Sequence, residues 1–136
     1  MDEPLVFRWR SAVRDCQELE DRIRRELPHL TEQDAGALAR VAERLIGAYR
    51  PESIYLFGSK ARGDYGPDSD LDIMVVVPDE APETRKQSRL AYERLWGTGI
   101  AAGVLVWTHD RFASRAHLRA SLAGTILREG KQLYAA

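Results

Sequence analysis

A chain of 136 residues has the length of one domain and can bury roughly two-thirds of the surface it exposes when unfolded. With 44% hydrophobic and 30% charged residues it is not disordered by composition, and a formal net charge of −1 argues against generic nucleic-acid binding. No apolar run approaches the ~20 residues of a membrane span, and the opening "MDEPLVFRWR" lacks the basic-then-apolar order of a signal peptide. A cytoplasmic protein with no membrane attachment is expected.

Val6, Val13, Cys16, Leu19, Ile23 and Leu27 fall at helical spacing and predict a first helix that Pro28 ends. Cys16, the only cysteine, is expected to pack in the core, and no disulfide within the chain can form. Thr31 can cap a second helix, with Asp34 in place of the usual Glu or Gln of a capping box; Ala37, Val41, Leu45 and Ile46 are its apolar stripe, and it stops before Pro51. "SIYLFGS" is a β-rich run ending at Gly58. "LDIMVVV" reads as a strand buried on both faces up to Pro78. A third helix holds Leu90, Leu95 and Trp96 and ends at Gly97 and Gly99. "VLVWT" is a third strand, "HLRASLAGTILREG" a fourth helix stopped by Gly130, and "QLY" a short last strand. The three apolar β runs are expected side by side. The expected fold is α/β (α+β), a small mixed β-sheet flanked by helices, with residues 1–50 as an N-terminal helical extension and 51–136 as the domain proper.

Between the first two strands lies "GSKARGDYGPDSDLD". A Gly-Ser pair directly after a buried strand offers exposed N–H groups and a hydroxyl, the parts needed to hold phosphate oxygens. Gly58 and Gly63 have the spacing of a P-loop, but Asp64 and Tyr65 stand where Lys and Ser/Thr are required, so that reading fails. Asp70 and Asp72 are two apart at the mouth of a strand, where period-2 alternation puts both carboxylates on one face. Two like charges about 4 Å apart repel by up to roughly 4 kcal/mol at an effective dielectric of 20, which a divalent cation would relieve. Oxygen donors without His or Cys favour magnesium or manganese. The plainer alternative is two loop-end caps; the Gly-Ser turn eleven residues before Asp70 weighs for metal and phosphate. From Asp64 to Glu83 every charged residue is acidic, whereas Arg111, Arg115, Arg119, Arg128 and Lys131 face only Glu129, which reads as two solvated faces.

Gly58 and Ser59, then Ala61, Arg62 and Gly63, then Ser69, Asp70 and Asp72 resemble the G-S-x-A-R-G…S-D-x-D signature of the minimal nucleotidyltransferases of the DNA polymerase β superfamily. The resemblance covers most of Pro51 to Tyr134 and implies a polymerase-β-like nucleotidyltransferase fold. It further implies that Gly58, Ser59, Arg62 and Ser69 serve the nucleotide and that Asp70 and Asp72 are the catalytic, metal-binding pair. The cofactor implied is Mg2+ or Mn2+, and the reaction is transfer of a nucleoside monophosphate from a nucleoside triphosphate (NTP) to an acceptor hydroxyl. For Arg62 a hold on phosphate, a hold on the acidic loop and a surface ion pair all stay open.

One departure stands out. The family carries a third carboxylate on the next core strand, and here the aligned position is Gly103 in "AAGVLVWT". Asp110, the nearest acid downstream, is expected to cap the next helix. Two function classes follow: a magnesium-dependent nucleotidyltransferase, slow alone or acting on an acceptor activated by a partner, and a catalytically degenerate nucleotide-binding or antitoxin-like interaction protein. The resemblance also implies a helical partner of the HEPN type, in a toxin–antitoxin pair or a divided transferase.

Overall fold

A computed structural model describes residues 16–66 and 68–136. Leu19 and Ile23 form the buried stripe of the first described helix, α1 (Cys16–Glu26), and Leu27 is buried just past its end. The part of that helix expected around Val6 and Val13 lies outside the described residues. Thr31 caps α2 (Glu32–Tyr49) as its position predicts, its Oγ1 accepting from Asp34 N at 3.0 Å. The chain leaves α2 through Arg50 in the left-handed region (φ 47°), which turns it into Pro51 and the sheet.

Four strands, β1 (Ser53–Phe57), β2 (Leu71–Val77), β3 (Ala102–Thr108) and β4 (Lys131–Ala135), lie in the order β3-β2-β1-β4. β1 runs antiparallel to β2 and β4, while β2 and β3 are parallel. The expected adjacency of the three apolar runs is therefore present. The parallel pair needs a crossover. It is made by a 3-10 turn (Glu83–Lys86) and a short helix, α4 (Arg89–Leu95), the label α3 being the one-turn helix at Ser59–Arg62. Tyr49 ties the crossover to α2: its hydroxyl donates to Gln87 O at 2.6 Å and accepts from Ala91 N at 2.8 Å.

Side-chain alternation divides the sheet into two faces. Leu71, Ile73, Val75 and Val77 of β2, with Ile54 and Leu56 of β1 and Val104 of β3, join Leu38, Val41 and Leu45 of α2 and Leu19 and Ile23 of α1 in the main core. The opposite face carries Met74 and Val76, which pack with Phe112, Ala123 and Ile126. Those last three residues come from α5 (His109–Ala116) and α6 (Leu122–Glu129).

The structure corrects the sequence reading in this last region. One helix was expected over residues 117–130; instead a separate helix precedes it and the second starts at Leu122. Thr108 Oγ1, rather than Asp110, caps α5 by accepting from Arg111 N, and Ser121 Oγ caps α6 by accepting from Gly124 N. Two serviceable caps thirteen residues apart favour two short helices joined by a turn over one continuous helix.

Candidate active site

The apolar alternation of β2 is broken at its first outward position, Asp72, where the neighbouring register positions are Phe57 on β1 and Gly103 on β3. Asp70, two residues earlier, lies just before the strand, and its charge acts on Asp72. Asp72, Met74 and Val76 form one row, whose far end packs with Phe112 of α5 and Ala123 and Ile126 of α6 and whose near end, at the half-buried Asp72, is preceded by the exposed Asp70. On β3, Leu105 in the adjacent column is 40% exposed.

Because Phe57 pairs with Asp72, the residue after it arrives against the Asp72 carboxylate. That residue is Gly58, with φ 76° and ψ −162°, a conformation reserved in practice for glycine. A Cβ there would clash with Asp72 Oδ2 and stand 3.1 Å from its Cγ and 3.3 Å from its Cβ. The turn that follows is α3, in which Ala61 N and Arg62 N both donate to Gly58 O at 3.1 Å. Ser59 and Lys60 lead this turn, so no carbonyl of the turn lies ahead of their N–H groups to accept from them. The turn that carries the Ser59 hydroxyl and these leading N–H groups therefore starts against a carboxylate, an arrangement suited to an anion that carries its own cation.

Asp70 is exposed and Asp72 half-buried. Burial, and secondly the charge of Asp70, hold the Asp72 carboxyl above its ordinary pKa of 3.8, opposed by the Arg62 guanidinium. Oxygen donors of this kind fit a hard divalent cation.

Arg62 is exposed and reaches Asp64 Oδ2 (3.2 Å) and Glu129 Oε1 (3.7 Å), bridging the loop to α6. Ser69 accepts from Gly66 N through its Oγ at 3.1 Å and closes the acidic loop. Gly103 faces Asp72: a Cβ built on it meets only Asp72 Oδ1, at 3.6 Å. Among the described residues no three His, Cys, Asp or Glu side chains converge as a metal-holding group. Asp110 cannot stand in for a third acid. Its N–H donates to Asp79 Oδ1 at 2.9 Å, beyond the far ends of β2 and β3 and roughly 20 Å along the strands from Asp72. Trp107 packs edge-on against Phe112 (6.4 Å between centroids) beneath the Arg111 guanidinium (4.2 Å), so it is part of the packing.

Lys60 was missed by sequence reasoning. It is buried, its Nζ 2.6 Å from Asp34 Oδ2 and 4.3 Å from the Tyr65 ring centroid. A lysine in a polar loop reads as exposed, and its partner lies 26 residues away. Asp34, the unusual residue in the capping-box position, was the one available signal.

Residues 38–128, more than half of the chain, match the family model described as the nucleotidyltransferase domain. The chain belongs to that family. Among solved structures, this nucleotidyltransferase-domain chain is similar to a toxin–antitoxin with AMP-PNP, at 24% identity over 71% of this chain and 73% of that one (TM-score 0.47). It is also similar to a proposed nucleotidyltransferase from Sulfolobus solfataricus, at 19% identity over 88% and 86% (TM-score 0.48). A third similar structure is a mutant of the toxin–antitoxin MntA–HpeT, at 22% identity over 71% and 73% (TM-score 0.47). No curated protein matches the chain. Among the described residues no helix is long and apolar enough to cross a membrane.

Proposed function

We propose that this nucleotidyltransferase-domain chain binds an NTP with Mg2+ or Mn2+ and transfers its nucleoside monophosphate to an acceptor hydroxyl. The observation that supports the reading is the contact of the Gly58 turn with the Asp72 carboxylate: a backbone suited to phosphate oxygens beside a carboxylate suited to a cation. Ser59 and the leading N–H groups take the terminal phosphates, and Asp70 and Asp72 take the cation. When bound, the cation supplies charge neutralisation at the α-phosphate. Arg62 can leave Asp64 and Glu129 for a phosphate, because exposed ion pairs contribute only about 0–1 kcal/mol. Ser69 serves the nucleotide indirectly, by fixing the loop that delivers Asp70. In the transfer the acceptor oxygen bonds to the α-phosphorus, the bond from that phosphorus to the bridging oxygen breaks, pyrophosphate leaves, and the hydroxyl proton departs. Within this chain nothing stands at Gly103 to take that proton.

Gly103 favours a second reading, a nucleotide-binding interaction protein without turnover of its own. Trp96, 87% exposed on the end of α4, offers a large apolar contact, and a helical partner of the HEPN type belongs to both readings. Incubation with α-phosphate-labelled NTP and magnesium, with and without the products of neighbouring genes, separates them. Label transferred to an acceptor supports the first reading; nucleotide retained but never transferred under any condition overturns it in favour of the second.

A further inference from the structure

The one-turn helix at Ser59–Arg62 is too short to hold its own shape. Its geometry is fixed from the side away from the carboxylates. The Lys60 carbonyl lies 2.6 Å from His29 Nε2, which as the donor carries the ring proton. The Lys60 ammonium pairs with Asp34 Oδ2 at 2.6 Å, with 8% of the Lys60 side chain exposed, and lies over the Tyr65 ring. Tyr65 closes the circuit by donating its hydroxyl to His29 O at 3.0 Å. His29 belongs to the corner between α1 and α2, and Asp34 to the first turn of α2. Both lie outside the loop they hold.

We propose, resting on the nucleotide-binding reading above, that His29 and Asp34 are positioning residues which hold the Gly58–Arg62 turn in its phosphate-accepting shape through Lys60. The carbonyl and the side chain of Lys60 are both anchored toward the helices, and its N–H, in the leading part of the turn, has no carbonyl of the turn ahead of it to accept from it. Without these anchors only the turn's own hydrogen bonds to Gly58 O and the exposed Arg62 ion pairs remain to hold the Ser59 and Lys60 N–H groups in place. Triphosphate affinity would fall while the sheet and Asp72 stay in place.

The test uses the full chain and a non-hydrolysable NTP with magnesium. Nucleotide affinity is measured calorimetrically for wild type, His29→Ala, His29→Gln and the double variant Asp34→Asn, Lys60→Met. The double variant removes both charges at once, so no buried charge is left unpaired and the fold is retained. Backbone amide NMR of free wild type and variants reports the turn directly. The expected result is at least a tenfold weaker affinity in His29→Ala, recovery in His29→Gln, whose amide can donate to the same carbonyl, and shifted Ser59 and Lys60 amides with unchanged β2 and β3 signals. A merely structural role would lower the melting temperature without separating Ala from Gln in affinity. Wild-type affinity in folded His29→Ala and in the double variant overturns the inference, whereas absence of nucleotide binding in the wild type overturns the reading it rests on.

Discussion

Replacing Gly103 by aspartate places a third acid beside the existing pair. The Cβ would sit 3.6 Å from Asp72 Oδ1 with no other contact within 4 Å, so the substitution has room at the Cβ, and for adjacent carboxylates a charge separation of about 4 Å is taken. At an effective dielectric of 20 that separation costs up to roughly 4 kcal/mol, and the half-open site screens part of it, leaving about 1–3 kcal/mol of destabilisation without metal. For a chain of this length this corresponds to a fall in Tm of very roughly 3–12 °C. Magnesium bound by the folded state should restore it, and should raise the Tm of Gly103→Asp more than that of the wild type. A general base typically contributes ~10²–10⁴ in rate, about 3–5 kcal/mol, so label transfer should rise at least tenfold. The assay pairs thermal melts across a magnesium series with single-turnover transfer from α-labelled NTP. A wild type already at full rate, or a variant that gains neither rate nor magnesium-dependent stability, would refute the idea that Gly103 occupies the third-carboxylate position.

Gly58→Ala should destabilise the chain by about 1–3 kcal/mol from its backbone conformation alone. It should also weaken nucleotide binding at least tenfold, since the added methyl displaces Asp72; a thermal melt and a nucleotide titration check both, and retention of wild-type affinity would contradict the proximity of turn and carboxylate. Asp72→Asn should melt higher than wild type at pH 7 in the absence of metal. Burial and Asp70 raise the folded-state pKa of Asp72, so its contribution to stability is fully present below the unfolded value near 3.8 and is lost as pH rises through the higher folded value. The advantage of Asn should therefore shrink toward pH 3.8, and an advantage that does not change with pH would show that it comes from something other than this ionisation. Asp34→Ala alone, which leaves Lys60 buried without its partner, should cost about 3–5 kcal/mol by chemical denaturation, whereas a loss under 1 kcal/mol would mean that the ammonium finds water.

Features written in local pattern were legible in the sequence. The run from Leu71 to Val77 could only be a buried strand, Pro51 and Pro78 bounded the first two strands, and Thr31 was visible as a cap. The spacing of Asp70 and Asp72 drew attention to the mouth of β2, where the register with β3 brings Gly103 opposite Asp72. Long-range pairings left no local trace: Lys60 with Asp34, Arg62 with Glu129, and His29 with the Lys60 carbonyl each join elements far apart in the chain. The sequence reading opens the last helix at His117 and has no helix between it and the third strand; the caps that set the observed bounds, Thr108 Oγ1 and Ser121 Oγ, are of the same kind as Thr31 and were overlooked.

The central claim is that one site formed by the Gly58 turn and the Asp70–Asp72 pair takes a nucleotide with its cation. Calorimetric titration of a non-hydrolysable NTP into wild type and into the double variant Asp70→Asn, Asp72→Asn, each with magnesium and again with EDTA, tests it most directly. The account predicts binding only by the wild type with magnesium. Equal affinity in the double variant, or affinity unchanged by EDTA, would contradict it.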